Sequence, residues 1–351
     1  MQNRLYLFMN TAAKVKTISE MTVSIKDVAR AAGVSPATVS RALGRGPVSD
    51  ALREQVAAAV RATGYRPNLA ARRLRSQHTG TIGLIVADIR NPFFTAVGRA
   101  VEESAYQAGM RVILCNTDED PEREALYLGL MQEERITGLI FAPTRKTADQ
   151  LTRRALDFPV VLIDRVGNSG LHDAVVLNNV EAMADLVTHL IERGYRRIGG
   201  LFGNASSTGA QRREGYEAAL RRAGLMPDAR LVAPSAEAAA AELKQWLSEP
   251  QRPDAIVVSN SLLLMGAIKA ARAMSLQIPS DLALAGFDNE SWTELVEPGM
   301  TVIEQPVEQI GHTAMALLYE RLKTPTQPVR KVVLSGRCIV RGSTAAVVGV
   351  A

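Results

Sequence analysis

The run Ser24-Ile25-Lys26-Asp27-Val28-Ala29-Arg30-Ala31-Ala32-Gly33-Val34-Ser35-Pro36-Ala37-Thr38-Val39-Ser40-Arg41 constrains this chain more than any other. Val28, Ala29 and Ala32 fall at helical spacing, which predicts a short helix with one buried stripe. Gly33 supplies the left-handed turn that stops it. Ser35 stands where an N-cap belongs, with Pro36 at the first helical position and Val39 as the inward anchor of a second helix. That helix leads with the small residues Ala37 and Thr38 and presents Ser40 and Arg41. Two short helices across a tight turn form a helix-turn-helix, whose second helix enters the DNA major groove with its N-terminal end toward base edges. Leu52, Val56, Ala59 and Val60 predict a third amphipathic helix ending near Gly64-Tyr65, and a basic, helix-prone stretch follows at 66–75.

The chain has 351 residues, too many for one small domain, which predicts two or three. A hydrophobic fraction of 47% and a charged fraction of 22% are ordinary for a globular protein. The net charge of +5 is modest, but its distribution is uneven. Between Thr22 and His78 ten cations face three anions, a net of +7; the residues before Thr22 add +2, which leaves −4 for the rest. A basic head on an acidic body is the electrostatic footprint of a DNA-binding module joined to something else.

Cys115 and Cys338 form neither a disulfide framework nor a metal-ligand spacing, and their apolar neighbours predict buried free thiols. No apolar run reaches membrane-spanning length. The segment Leu5-Tyr6-Leu7-Phe8-Met9 is too short for a secretory signal. Residues 1–21 are expected to be a disordered extension, and the cytoplasm is the expected compartment. His78, His172, His189 and His312 are scattered, and neither a Ser-His-Asp set nor a glycine-rich phosphate loop is visible. The chain is therefore not expected to be an enzyme, and neither a cofactor nor a metal is expected.

From Thr81 the character changes. Thr81–Val86, 111–115, Gly138–Phe141 and Val160–Ile163 are apolar runs of strand length, alternating with helical stretches at 97–108, 122–134 and 148–156. Strands apolar on both faces, interleaved with helices, predict parallel βαβ units. A second series begins at 174–177 and continues at 198–202, Ala255–Val258 and 282–287. Two doubly wound α/β sheets imply two lobes, and ligands of such sheets sit at the carboxyl ends of the strands. Polar residues stand at those ends: Asp88, Asn91, Asp164, Arg165, Arg212 near the start of a helix at 213–223, Asn260, Asp288 and Gln305. Carboxylates, amides and arginines suit vicinal hydroxyls, each of which both donates and accepts. Phe93 and Phe94 can wall the apolar face of a sugar. Taken singly, Asn91-Pro92 also reads as a helix cap and Asp164-Arg165 as a surface ion pair.

Head and body together resemble the LacI/GalR (lactose-repressor) family of bacterial transcription regulators. The resemblance implies a helical helix-turn-helix domain at 22–67, a hinge helix and linker at 68–79, and an effector-binding and dimerisation domain at 80–345. That last domain is similar to a periplasmic sugar-binding protein. Lobe one is expected at 80–163 and 290–323 and lobe two at 164–289 and 324–341, with the chain crossing near Asp164, Asn289 and Lys323. The implied partners are a palindromic double-stranded operator, a second copy of the chain, and a small sugar or sugar-acid effector that switches operator affinity; the implied role is repression.

Within the resemblance, Pro36, Ala37 and Arg41 occupy base-reading positions, and Ser24, Ser35, Thr38, Ser40 and Asn68 occupy positions that contact the DNA backbone. Leu74, between Arg72 and Arg75, matches a leucine that wedges between base steps in the minor groove. Asn91, Asp164, Arg165, Arg212, Asn260, Asp288 and Gln305 match effector contacts of sugar-responsive members. The chain departs from the family pattern at three places. Gly44 replaces a common asparagine, Ser261 replaces the aspartate that usually follows Asn260, and 232–236 lacks a stacking aromatic, a role for which Trp292 is the candidate. The tail at 345–351 has no leucine heptads, so a C-terminal coiled coil is not expected. The competing expectations are a DNA-binding repressor without effector and a free solute-binding protein, the latter at odds with the basic head.

Overall fold

Capping residues set the limits of the head's helices. A computed structural model of the chain describes residues 23–44, 46–65, 79–151, 156–167 and 170–345. The expected N-terminal extension and the hinge residues Asn68, Arg72, Leu74 and Arg75 lie outside the described residues. Helix α1 (Ile25–Ala31) begins in a capping box, where the backbone N–H and hydroxyl of Ser24 donate to Asp27 Oδ2 at 3.0 and 2.6 Å. Gly33 takes φ 61° and turns the chain into α2 (Pro36–Leu43), whose N-cap Ser35 accepts the Thr38 N–H at 3.1 Å. Ser49 caps α3 (Asp50–Thr63), and Gly64 ends it at φ 65°. Val28, Val39 and Val56 are fully buried and meet Ala29, Ala32, Ala42 and Ala59 in one small core. Two side chains of α3 satisfy carbonyls that helix ends leave open. Gln55 Nε2 donates to Ala32 O at 2.9 Å, and Arg53 Nη1 donates to Ala42 O at 2.9 Å and Gly44 O at 3.1 Å.

The chain divides into two compact units, this head and a body that begins at residue 78. The body opens with alternating strands and helices: β1 (Thr81–Val86), α4 (Pro92–Gln107), β2 (Arg111–Asn116), α5 (Pro121–Glu133), β3 (Gly138–Phe141), α6 (Arg145–Gln150), β4 (Val160–Ile163) and β5 (Asp173–Leu177). It continues through α7 (Asn179–Glu192), β6 (Ile198–Gly203), α8 (Ser207–Arg222), β7 (Asp228–Val232), α9 (Ala236–Trp246), β8 (Ala255–Val258), α10 (Ser261–Ala273) and β9 (Ala283–Phe287). The last elements are α11 (Ser291–Leu295), β10 (Thr301–Glu304), α12 (Val307–Lys323), β11 (Lys331–Leu334) and β12 (Arg337–Ile339). Two six-stranded sheets result, in the orders β11-β5-β4-β3-β1-β2 and β12-β10-β9-β8-β6-β7. All neighbours pair in parallel except β10 and β12. Each sheet is covered on both faces, which is why its inner strands are apolar throughout.

The lobe boundaries differ from those expected. Residues 174–177 do not start a second sheet: β5 pairs with β4 in the first, Val161 opposite Asp173 and Ile163 opposite Val175. Conversely, β10 belongs to the second sheet, with Thr301 opposite Ala285. The chain therefore crosses after Leu177, at Gln305-Pro306 and at Ser335-Gly336, not near Asp164, Asn289 and Lys323. After Asp164 it returns to the amino end of a neighbouring strand in the same sheet, a route that apolar runs alone do not reveal. The thiols also differ from one another: Cys115 is buried, whereas Cys338 on the edge strand β12 is half-buried.

A buried ion pair ties the end of α12 to the start of β5. Asp173 is fully buried and accepts from Arg321 Nε at 3.0 Å and Nη2 at 2.9 Å, while the Arg330 N–H donates to it at 2.8 Å. Removing one partner of such a pair strands a buried charge. Arg321→Ala should therefore destabilise the body by about 3 kcal/mol, read as a lower urea midpoint; an unchanged midpoint would show that the pair contributes little.

Candidate ligand cleft and nucleic-acid interface

The carboxyl ends of both sheets face one cleft of about 570 Å³, counted to its mouth. The first sheet contributes Asp88 after β1, Asn91, Phe93 and Phe94 at the start of α4, Glu119 after β2, and Asp164 and Arg165 after β4. The second contributes Ser206, Thr208 and Arg212 after β6, Pro234 after β7, Ser259, Asn260 and Leu262 after β8, Asp288 after β9 and Gln305 after β10. Asn91 and Asn260 serve first as helix caps, accepting the Phe93 and Leu263 N–H groups at 3.1 and 2.9 Å. The rings of Phe93 and Phe94 meet edge to face at 5.1 Å, as their quadrupoles favour.

Two guanidinium groups dominate the cleft. Arg165, 5% exposed, donates through both Nη atoms to Glu119 at 2.6 Å and through Nε to Asp164 at 3.1 Å. Arg212, 4% exposed, donates through Nε to Asn179 Oδ1 at 2.8 Å and through Nη1 to the Ser259 carbonyl, and it stacks 3.9 Å above the Phe287 ring. Burial pushes the Asp164 carboxyl above the usual carboxylate range, against the pull of Arg165 and Arg212. Burial also works against the Arg165 charge, but Glu119 and Asp164 outweigh it and hold that guanidinium more firmly protonated. Arg212, desolvated with weaker compensation, shifts downward. Asp288 accepts the Ser261 N–H at 3.0 Å and Gln305 Nε2 at 2.6 Å, which leaves the buried Gln305 Oε1 without a partner.

Nine of the ten effector candidates named from the sequence line this cleft: Asn91, Phe93, Phe94, Asp164, Arg165, Arg212, Asn260, Asp288 and Gln305. Trp292 does not. It falls on the short helix α11, where its ring packs against the apolar core beneath the second sheet. Arg212 is not at a helix start either; α8 begins at Ser207 and places Arg212 one turn in. Glu119 was missed, although it too follows a strand's carboxyl end. Glu119, Asp164 and Asp288 have positive φ values of 61°, 62° and 76°, a conformation that side-chain-bearing residues seldom adopt and that concentrates at functional sites. Among the described residues, no group of three His, Cys, Asp or Glu could hold a metal, and no helix is long and apolar enough to cross a membrane.

In the head, α2 turns Val39 and Ala42 inward and leaves Pro36, Ala37, Ser40 and Arg41 exposed. Ser35 is exposed but committed to its cap, with its hydroxyl 2.9 Å from that of half-buried Thr38, and Arg41 Nη2 reaches Thr38 Oγ1 at 3.5 Å. The Ser24 hydroxyl proton is likewise engaged by Asp27. The exposed face thus offers one guanidinium and several small surfaces.

Known proteins share both units. A model for bacterial regulatory proteins of the lacI family matches residues 24–68, and a periplasmic binding protein-like domain matches 187–344. The ribose operon repressor of Escherichia coli (strain K12) is 34% identical over 328 residues, covering 91% of this chain and 99% of that one. The transcriptional repressor PurR of Photobacterium profundum is 32% identical over 327 residues, covering 91% and 98%. A lac repressor dimer bound to operator and an anti-inducer shares the fold, with a TM-score of 0.83 at 24% identity over 92% of this chain and 99% of that one. The helix-turn-helix head, the two-lobed body and a relative matched over nearly its whole length establish that this chain belongs to the LacI family of bacterial regulatory proteins.

Proposed function

We propose that the chain is a cytoplasmic transcriptional repressor whose affinity for a palindromic operator is switched by a small sugar or sugar acid held between the two lobes. The convergence of nine polar and aromatic candidates from separate strand ends on one cleft carries this reading. In the head, Arg41 is the group suited to a bidentate guanine contact, with Pro36 and Ala37 limited to apolar contacts such as a thymine methyl. Ser24, Ser35, Thr38, Ser40 and Asn68 supply backbone contacts, and Arg72, Leu74 and Arg75 act in the minor groove. The working unit is a homodimer. Each sheet ends in an exposed strand, β2 and β7, and carries an outward leucine there, Leu114 at 52% and Leu231 at 51% exposure, surfaces suited to a second copy.

The switch follows from the crossings. A ligand bonded to both lobes favours one closure angle, and that angle fixes the spacing of the two DNA-contacting segments in a dimer. Coupling of this kind is typically about 1–3 kcal/mol, or roughly five- to 150-fold in operator affinity. The test selects a DNA site from a random library with the full chain, then titrates that site with D-ribose and other aldoses and their acids. A shift in DNA affinity with one of them is expected; no shift with any of them, from protein that binds DNA well, would favour an effector-independent repressor.

Leu74→Ala should weaken operator binding at least about tenfold, since a wedge supports a kink worth a few kcal/mol, and should leave the ligand-induced thermal shift intact. Undiminished operator affinity would remove Leu74 from the interface. Asp164→Asn gives a contrast in sign. Because the folded-state pKa of Asp164 is raised, its contribution to stability is present below the unfolded value and is lost as pH rises through the folded one. The melting-temperature difference, variant minus wild type, should therefore become more positive between pH 4 and pH 7 while ligand binding is lost. A difference independent of pH would contradict the assigned direction.

A further inference from the structure

We infer that the cleft selects an uncharged, polyhydroxylated ligand over its acid, and that Glu119 makes the selection by occupying Arg165. This inference rests on the cleft being the effector site. It narrows the choice left open above between a sugar and a sugar acid.

Two buried arginines would by themselves suit a carboxylate. Here Arg165 is already engaged through all three of its nitrogens. Both Nη atoms of Arg165 donate to Glu119 and its Nε donates to Asp164, so the edges that would form a bidentate pair with a ligand acid are filled from within the protein. An incoming carboxylate would have to displace Glu119, itself only 17% exposed in its side chain, and leave that charge without its partner. Arg212 donates through Nε to Asn179 and through Nη1 to the Ser259 carbonyl, with the Phe287 ring against its face.

The charge balance points the same way. Asp88 is paired by Arg90, at 2.9 Å, outside the cleft wall. The remaining wall sets three carboxyl groups, Glu119, Asp164 and Asp288, against two guanidinium groups, Arg165 and Arg212, so it carries no net positive charge that would call for a further anion. A cationic amine would instead sit beside two buried guanidinium groups.

The open hydrogen-bonding position asks for a donor. Gln305 Nε2 donates to Asp288 at 2.6 Å, which fixes the amide with Oε1 as a buried acceptor lacking any partner, on a side chain more than nine-tenths buried. A hydroxyl supplies that proton and a carboxylate does not.

The test is calorimetric titration of the full chain near neutral pH with matched pairs: D-ribose and D-ribonate, D-galactose and D-galacturonate, D-glucose and D-glucuronate. A neutral sugar should bind at least about tenfold more tightly than its acid, the preference expected if the acid must break a buried ion pair. In Glu119→Gln, with Arg165 released, the neutral-to-acid ratio should fall at least about tenfold. A merely structural Glu119 would weaken both members alike and leave the ratio unchanged, which would overturn the assignment. Tighter binding of an acid by the wild-type chain would overturn the inference while leaving the effector cleft standing. Binding of neither member of any pair would overturn both readings.

Discussion

Burying Arg165 and Arg212 between two sheets imposes most of the cleft's remaining geometry. A guanidinium removed from water must recover its hydration from fixed acceptors, and each must be held by a rigid element. Glu119 and Asp164 do this for Arg165; Asn179 and the Ser259 carbonyl do it for Arg212. Both carboxylates sit at positive φ, so the backbone bends unfavourably to aim them. What results is a set of dipoles oriented before any ligand arrives. Affinity in such a site comes less from new contacts than from order already present.

The head was readable almost residue by residue because its determinants are local. Gly33, Ser35 and Pro36 specify a turn and a cap within four positions, and Val28 and Val39 mark the faces that meet. The body's strands were readable as apolar runs, and the rule that ligands gather at strand carboxyl ends located ten of the cleft residues, Asp88 among them. Sheet membership was not readable. The run at 174–177 and strand β10 have the same buried, β-branched character in either sheet, and only pairing register decides between them. Glu119 escaped notice for a related reason. In sequence it is one acid within Asp118-Glu119-Asp120, which reads as a solvated turn, and its partner lies 46 residues away. Trp292 was misplaced because a large aromatic beside a polar site serves equally well as a ligand platform or as core, and the short helix α11 decided for core.

Gln305 joins two roles that the sequence kept apart. It lines the cleft, and it lies on one of the three segments by which the chain passes between lobes. A ligand bonded at that amide acts on the pivot itself. By reciprocity, whatever biases the pivot also biases ligand affinity. The partner strands β11 and β12 cross beside it, with Glu304 and Arg337 paired at 2.7 Å across β10 and β12, so the passage is braced by charge as well as by backbone.

The three crossings have a consequence for descent. Neither lobe is a continuous stretch of chain: β11 returns to the first sheet after the whole second sheet but one strand has been laid down. A gene fusion or truncation cannot deliver half of this body as a folding piece, so the two lobes are inherited together or not at all. The head is different. Its core closes within residues 25–65, in a unit with contacts of its own, and a recombination event can exchange it as a block. The fold thus leaves one seam along which operator preference and ligand preference can be reshuffled independently.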